Sequence, residues 1–495
     1  MERESWLLLA TLAVPLLFYL ASLRRRSSAA ARRPPGPRPL PLLGNILDLR
    51  AGNLHHTLAR LARAHGPVMR LELGLTTAVV VSSRGAAAEA FTRHDRRLAA
   101  RAIPDAARAL GFSERSVVLM PSSDPRWKHL RGVVAASVLA PRSLAAARAA
   151  RERKVRDLVG YLHGRAGREV LVGDAVYGAA LNLVSSALFS VDVGAEAAHG
   201  IRMAVENLVQ LITKPNVSDL FPFLRPLDLQ GLRRYAAREM VKISRVLDGI
   251  IDRRLAEAEA DKRQGDLLGT LLELMLSGKI TREDVTTILF DVFSAGSDTI
   301  AITVEWAMAE LFRNRDAMDK VRAEIKGAVG GKEIIEEADT VSLPYLHAVM
   351  KETLRLHPVA PILLPHQAVE DGVEIGGYAV PRGSTVIFNA WAIMRDPAVW
   401  EKPDEFIPER FLADKAVKVD FRGKDFEFHP VRRWPEDVPW HTNGGACGAL
   451  HTGVAAARVR LAPAGRHVEV GREREVHQRA NVMAVPLKAV PVVVT

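Results

Sequence analysis

The sequence is poor in cysteine, with a single residue, Cys447, in a chain of 495. One cysteine excludes an intramolecular disulfide framework, cysteine-rich zinc sites and cysteine-ligated iron–sulfur clusters. Aromatic side chains make up only 6% of the sequence, and the cations behind the net charge of +11 are scattered along it. A nucleic-acid interface needs clustered cations and aromatic platforms. We therefore expect no nucleic-acid partner, and attribute the charge to an anionic membrane surface or an acidic protein.

Charge is absent altogether from residues 6–23, near the amino terminus. These 18 residues are mostly apolar and just long enough for a membrane-spanning helix. Glu2 and Glu4 precede them and a run of arginines begins at Arg24, whereas a cleaved secretory signal carries its positive charge first. The pattern predicts a retained anchor over residues 1–26 and, by the positive-inside rule, a cytosolic chain after it. A signal peptide that is removed is the alternative.

Prolines dominate the next segment, residues 27–41, and predict a stiff, non-helical hinge. From residue 42 to 495 no internal repeat is visible. Long helical periodicities dominate this part, for example over 144–158 and 235–260. Strand-like runs are few, at 68–73, 78–82 and 377–388. The sequence therefore predicts one mainly α-helical domain with a minor β-sheet region.

One predicted helix is long enough to cross the whole domain. Thr281, with an acidic residue three positions later, has the pattern of a helix N-cap. An apolar pattern without proline then continues to about Arg313, roughly 45 Å of helix. Its middle reads Ala-Gly-Ser-Asp-Thr over residues 295–299, with polar side chains inside an apolar run. This suggests either a ligand that passes close to the backbone or a helix kink with satisfied polar groups.

Three further motifs contain charged residues that can meet a partner. Glu352 and Arg355 are three residues apart in a helical pattern over 346–356, which puts them on one helical face. Arg410 lies in a proline-bounded segment over 403–411. Trp127 and Arg131 lie one helical turn apart and combine an aromatic donor with a cation, which suits a carboxylate ligand.

In this order along the chain, the anchor, the hinge and these motifs resemble the cytochrome P450 family of haem-thiolate monooxygenases. The run Phe-Asn-Ala-Trp-Ala at 388–392 is similar to plant microsomal members, especially the terpenoid hydroxylases of grasses. The resemblance covers residues 1–428 and 480–495. It implies the P450 fold with an amino-terminal membrane anchor helix, a haem cofactor, and hydroxylation of a small apolar substrate such as a terpenoid. It also implies an NADPH-dependent flavoprotein reductase as electron donor, and single-pass attachment to the endoplasmic reticulum membrane with the catalytic domain in the cytosol.

The same resemblance assigns roles to individual residues. The distal oxygen site would comprise Ala295, Gly296, Asp298 and Thr299, with the acid and the hydroxyl delivering protons for oxygen activation. The residues that would bind or support the haem are Trp127, Arg131 and His366 at its propionates, and Glu352, Arg355 and Arg410 in a buried network on its proximal side.

The sequence lacks the cysteine that this family places on the haem iron. The family's loop reads Phe-x-x-Gly-x-Arg-x-Cys-x-Gly and should begin a few residues after Phe428; with its first position at residue 431, its ligand position is Val438. We therefore assign no metal ligand. The 51 residues from 429 to 479 contain no Lys, Ile, Phe, Tyr or Met, but five of the 15 histidines. A core-forming segment does not have that composition.

The aberrant segment, residues 429–479, is typical of a GC-rich coding region translated in the wrong frame. Removing one base from a permitted codon spelling of residues 429–438 gives Ile-Pro-Phe-Gly-Gly-Gly-Arg-Arg-Met-Cys, with cysteine at 438. Most synonymous codons are free, but the Trp-Pro pair at 434–435 and the Trp-His pair at 440–441 force glycine in the shifted frame. We interpret the chain as a monooxygenase with two compensating frame changes, near residue 428 and near residues 478–480.

Three alternatives stay open. One is that the chain as printed is a catalytically dead, membrane-anchored remnant. Another is that Cys447 replaces the missing thiolate, although nothing around it supplies the aligned loop and the following helix. The apolar segment 221–224 is either a membrane-dipping substrate entrance or a buried loop.

Overall fold

The computed structural model describes residues 32–50, 52–258, 266–329, 336–412, 459–463, 482–483 and 485–493. The predicted anchor of residues 1–26, the position Val438 and Cys447 lie outside the described residues. The aberrant segment is described only over 459–463.

Helices form most of the described chain. The α-helices are α1 Leu54–His65, α2 Arg84–Arg93, α3 Pro125–Val134, α4 Pro141–Ala146, α5 Arg148–Gly164, α6 Val172–Phe189, α7 Ala195–Thr213, α8 Val217–Leu220, α9 Leu232–Ala258, α10 Leu267–Leu276, α11 Arg282–Arg313, α12 Arg315–Val329, α13 Pro344–Leu356 and α14 Ala390–Ile393. Short 3-10 turns over Asp105–Glu114 and Pro408–Phe411 also contribute to the site described below.

The strands are short and form three small sheets. They are β1 Val68–Leu73, β2 Thr76–Val81, β3 Ala100–Arg101, β4 Val170–Leu171, β5 His366–Gln367, β6 Val373–Ile375, β7 Tyr378–Val380, β8 Thr385–Phe388, β9 Val459–Pro463 and β10 Lys488–Val493. The largest sheet has the order β1-β2-β8-β5-β3, and within it only β2 and β8 run parallel. The others are the sheet β4-β10-β9 and the hairpin β6-β7. The prediction of a mainly α-helical domain with a minor sheet region is confirmed.

The prediction of one strand over 377–388 is wrong. Residues 378–380 pair with β6, whereas residues 385–388 pair with β2 and β5 in a different sheet. Pro381 and Gly383 separate the two strands, and Gly383 has a φ of 84°, a left-handed conformation that side chains disfavour. The turn therefore redirects the chain in the middle of an apolar run.

The described part of the proline-rich hinge, residues 32–41, is non-helical and packs on the sheet. The carbonyl of Pro35 accepts a hydrogen bond from the Arg70 N–H of β1 at 2.7 Å. Gly36 lies so close to that strand that a Cβ there would come within 2.0 Å of the Arg70 carbonyl oxygen. The hinge therefore joins the domain well before residue 42.

The long helix α11 begins and ends where the sequence predicts. The Thr281 hydroxyl accepts from the Asp284 N–H at 3.2 Å, and the Asp284 carboxylate accepts from the Thr281 N–H at 2.9 Å, which completes a capping box. At the other end, the Asn314 side-chain amide donates to the Glu310 carbonyl at 2.9 Å. Caps at both termini satisfy backbone groups that would otherwise lack partners.

Helices α6 and α11 pack against each other in the centre of the domain. Both are long and apolar enough to span a membrane, yet 61% of each apolar window is buried inside the protein. Gly173 of α6 leaves room for the Glu305 side chain of α11, because a Cβ at that position would lie 2.7 Å from its carboxylate. The same carboxylate accepts the Leu487 N–H at 2.9 Å. Their apolar character is therefore explained by the core, and α11 also holds the carboxyl-terminal segment.

Candidate active site on the central helix

The Ala-Gly-Ser-Asp-Thr segment lies in the middle of α11, which is continuous through it. The Thr299 hydroxyl donates to the Ala295 carbonyl at 2.8 Å, and the Ser297 hydroxyl donates to the Phe293 carbonyl at 3.0 Å. Such bonds to the preceding turn satisfy a hydroxyl within an apolar helix. Gly296 is buried and needs no kink to be accommodated. The segment thus offers the Thr299 hydroxyl and the Asp298 carboxyl side by side on a continuous helix in the core.

Asp298 is the titratable group of this segment, and its surroundings favour the protonated form. Burial raises the pKa of Asp298 to about 7, and the negative charge of Glu206 raises it further, while Arg202 lowers it. A carboxyl group with a pKa near neutrality can both hold and release a proton under physiological conditions. This is the electrostatic property that a proton-delivering acid needs.

Arg202 of α7 is the cation that acts on Asp298. Its guanidinium contacts Asp174 of α6 at 2.6 Å and Glu206 at 3.0 Å, and lies 4.6 Å from the centre of the Tyr177 ring. Burial is also the main cause that raises the pKa of the Tyr177 hydroxyl. Sequence reasoning missed this cluster, because its members come from three helices and no short motif contains them.

Trp127 and Arg131 lie on α3, one turn apart as predicted. The Trp127 side chain is buried, and its indole N–H donates to the Val117 carbonyl at 2.9 Å. The only donor of this side chain is therefore taken by the segment that precedes α3, so in this arrangement Trp127 does not offer the propionate donor that the resemblance implies. Arg131 lies half-buried on the same helix.

His366 lies in β5, opposite Arg101 of β3. Its Nδ1 donates to the Leu98 carbonyl at 3.0 Å, so Nε2 accepts from the Arg101 guanidinium at 3.1 Å. Burial lowers the pKa of His366 well below its usual value, and the Arg101 charge lowers it further. His366 is consequently a neutral residue that orients a cation. Arg101 was missed by sequence reasoning, because only the pairing of two distant strands brings it to His366.

Glu352, Arg355 and Arg410 are brought together in the interior. Arg355 donates to both oxygens of Glu352, at 2.7 and 2.9 Å, and Arg410 adds a third bond at 3.0 Å. The backbone N–H of Ile407 gives Glu352 a fourth, at 2.9 Å. Glu352 and Arg355 are fully buried, so the pair is not the solvated surface salt bridge that its spacing alone would suggest.

The donor set fits the carboxylate edge of a haem. Guanidinium groups, one of them oriented by a neutral imidazole, are the chemistry that binds carboxylates. The axial side does not fit by alignment: Val438, at the ligand position, carries no lone pair for a metal. Within the described residues, no group of three or more His, Cys, Asp or Glu side chains could hold a metal ion.

These features define a haem-monooxygenase domain, and comparison with known proteins agrees. The family model described as Cytochrome P450 matches residues 34–430, most of the chain, and the chain belongs to that family. Members use haem, with electrons from NADPH through a reductase. The chain is 58% identical over 504 residues to "Cytochrome P450 76M5" and 53% identical over 503 residues to "Ent-cassadiene C11-alpha-hydroxylase 1", both of Oryza sativa subsp. japonica. It is 52% identical over 507 residues to "Oryzalexin D synthase" of the same source. Each alignment covers 99–100% of this chain and 99% of the relative.

Proposed function

We propose that this protein is a haem-dependent monooxygenase that hydroxylates a small terpenoid, with O2 and NADPH-derived electrons. The observation that carries the proposal is a carboxyl group with a pKa of about 7, one residue from a hydroxyl, on a rigid core helix. The names of the similar rice proteins, a diterpene hydroxylase and an oryzalexin synthase, support a terpenoid substrate. Haem, when bound, supplies the oxygen chemistry.

The chain's own residues would hold the cofactor and manage protons. Arg131 and Arg101 would bind the propionates, with His366 orienting Arg101. Trp127 would join them by exchanging the Val117 carbonyl for a propionate oxygen. Asp298 would hold the proton that oxygen activation consumes, and the Thr299 hydroxyl, one residue along α11, would pass it on. The network of Glu352, Arg355 and Arg410 would keep the proximal side in shape.

The endoplasmic reticulum membrane is the proposed location, with residues 1–26 as a single-pass anchor. Two apolar segments, one with Leu43 and one with Leu220, support this location. Both contact the turn between β1 and β2, because the Gly74 N–H donates to the Leu43 carbonyl and the Leu75 N–H donates to the Leu220 carbonyl. Phe223 is 62% exposed, which argues against the buried-loop reading of residues 221–224. A surface with these residues would lie against lipid on the side from which the chain leaves the membrane. The net charge of +11 would favour the approach of an acidic reductase.

The alternative is that the protein is a catalytically dead remnant. One observation favours this alternative for the chain as printed. The family match ends at residue 430, two residues after the proposed frame change, and Val438 stands at the ligand position. Restoring the frame over 429–479 would put cysteine at 438. We call that product the loop-restored chain.

The test compares the printed chain with the loop-restored chain after reduction under carbon monoxide. We expect the printed chain to give neither the absorption band of a thiolate-ligated haem nor hydroxylated terpenoid, and the loop-restored chain to give both. Cys447→Ser in the printed chain is the control. If the printed chain shows the band and the control abolishes it, Cys447 is the ligand and the frame-change interpretation is wrong. Sequencing the transcript across codons 425–482 shows which chain is made.

A further inference from the structure

Asp105, the first residue of the 3-10 segment Asp105–Glu114, is a fully buried acid with no role in the function proposed so far. The Arg233 guanidinium of α9 lies 3.5 Å from one of its carboxylate oxygens. Within the described part of the chain, neither oxygen accepts a hydrogen bond. A buried carboxylate is costly unless it is both paired with a cation and hydrogen-bonded, and Asp105 meets only the first condition.

The contacts around Asp105 do little to lower this cost. Its backbone N–H donates to Oδ1 of Asp219 in α8, at 2.7 Å, which brings a second carboxylate to the same residue. Arg233 is partly engaged elsewhere, because its guanidinium donates to the Arg225 carbonyl at 3.0 Å and one third of its side chain is exposed. Hydration of the Asp105 carboxylate would therefore be favourable, but it requires the 3-10 segment to move away from α8 and α9.

The elements that meet at Asp105 form an exposed apolar edge of the domain. Leu110 of the 3-10 segment is 59% exposed, and Phe223 and Leu227, in the chain between α8 and α9, are 62% and 61% exposed. Leu110 also has a φ of 55°, a left-handed conformation that is unfavourable for a residue with a side chain. Movement of the 3-10 segment would relieve this backbone strain together with the buried charge.

The inner end of the same stretch of chain is fixed to the central helix. The Phe112 ring packs edge-on against Phe290 of α11, with ring centres 5.3 Å apart. The Ser116 hydroxyl donates to both carboxylate oxygens of Asp291, each at 2.9 Å, one helical turn before the Ala-Gly-Ser-Asp-Thr segment. Residues 105–116 therefore connect the exposed apolar edge with α11 beside the candidate site, and release of their outer end would give an apolar ligand a way to that helix.

We propose that Asp105 promotes the opening of a substrate entrance: its buried carboxylate destabilises the closed contact of residues 105–111 with Asp219 and Arg233, and the open form admits an apolar ligand from the membrane side. The terpenoid substrate and the membrane in this proposal rest on the proposed function. An ordinary salt bridge would hold the segment closed, whereas the Asp105 charge favours the open form and Arg233 limits that effect.

The first experiment measures backbone hydrogen exchange by mass spectrometry on the full printed chain in detergent, without haem. Asp105→Asn keeps the shape of the side chain but removes its charge, and should slow exchange in peptides over 104–112 by about tenfold. Arg233→Gln leaves the buried carboxylate without a counter-charge and should accelerate exchange there by about tenfold or more. In the double variant the exchange rate should return towards that of the parent, because each change removes one member of the same pair.

The matched control is Arg238→Gln, which removes an exposed arginine of α9 five residues further along and should leave peptides over 104–112 unchanged. Faster exchange in Asp105→Asn would identify an ordinary salt bridge and overturn the proposal, and so would an unchanged rate. If Arg233→Gln does not fold, Asp105→Asn decides alone, since a salt bridge and a destabilising charge predict opposite signs for it.

The second experiment measures how fast phenylimidazole, an apolar imidazole that ligates haem iron, binds to the loop-restored chain in stopped-flow absorbance. A ligand that enters through the open form binds at a rate proportional to the open fraction. Asp105→Asn should therefore lower the association rate, and Arg233→Gln should raise it, by about the factors seen in hydrogen exchange. Changed exchange with unchanged association would mean that the segment opens without being the entrance, which would overturn the proposal. A loop-restored parent that never binds haem would instead count against the proposed function, and the signs of the exchange effects would still decide whether Asp105 favours opening.

Discussion

Replacing Glu352 by alanine removes a carboxylate that accepts four N–H groups in the interior of the domain. Three come from Arg355 and Arg410, at 2.7 to 3.0 Å, and one from the Ile407 backbone. Arg355 is fully buried, so the variant leaves a guanidinium without a counter-charge and without solvent. Breaking a buried pair from one side costs about 3–5 kcal/mol, a large share of the 5–15 kcal/mol typical of a domain.

The Arg355 side chain also donates to the carbonyls of Met394, Pro403 and Glu405, at 3.0, 2.7 and 3.2 Å. Arg355→Lys should therefore cost nearly as much as Glu352→Ala, because an ammonium group cannot reproduce the planar set of donors. Urea unfolding followed by circular dichroism measures both, on the full chain in detergent. The matched control is Lys320→Ala, which breaks an exposed pair with Glu409 and should cost at most about 1 kcal/mol. If Glu352→Ala costs no more than this control, the network does not stabilise the fold as we argue.

Three further outcomes are expected. The folded chain keeps a proton on Asp298 up to about pH 7, whereas an unfolded aspartate loses it near pH 4. The contribution of protonated Asp298 to the free energy of unfolding should therefore be lost as pH rises through 7. Asp298→Asn should remove that part of the decline in the urea midpoint, and an unchanged profile would contradict the raised pKa. Thr281→Ala should destabilise the chain by about 1 kcal/mol through loss of the capping box, with Thr287→Ala, also on α11, as the comparison. Deleting residues 1–26 should move the protein at least partly from the membrane to the soluble fraction of a lysate, and undiminished membrane retention would count against the predicted anchor.

The parts of the fold that could be predicted from sequence are those fixed by local interactions. The start of α11 follows from one hydroxyl and one carboxyl three residues apart, and its length from an unbroken apolar pattern. The run over 377–388 shows the limit, because its β-rich composition is the same on both sides of a Pro-Arg-Gly turn that sends the two halves into different sheets. Residue β-propensity indicates where strands form but not which strands pair with each other.

The candidate site divides in the same way. The i,i+3 spacing predicted that Glu352 and Arg355 meet, but the burial that makes the pair costly to break comes from residues about fifty positions later. Arg101 reaches His366 across 265 residues, and Ser116 reaches Asp291 across 175. No local pattern records such pairs. A search for isolated acids in apolar helical runs would have drawn attention to Asp291, though not to its partner.

The contacts that position the candidate site lie outside the aberrant segment, which contributes only β9 to the described residues. Among the described residues, every donor and acceptor of the Glu352 network lies before residue 429, and Glu305 contacts the chain beyond residue 479 at Leu487. A frame change there would therefore remove the family's cysteine loop but leave intact the contacts of the Glu352 network and of Glu305. Asp298 and Thr299 are likewise unaffected, because α11 precedes the change by more than a hundred residues. Restoring the frame should then require no compensating substitution elsewhere, and a difference between the two chains can be attributed to residues 429–479 alone.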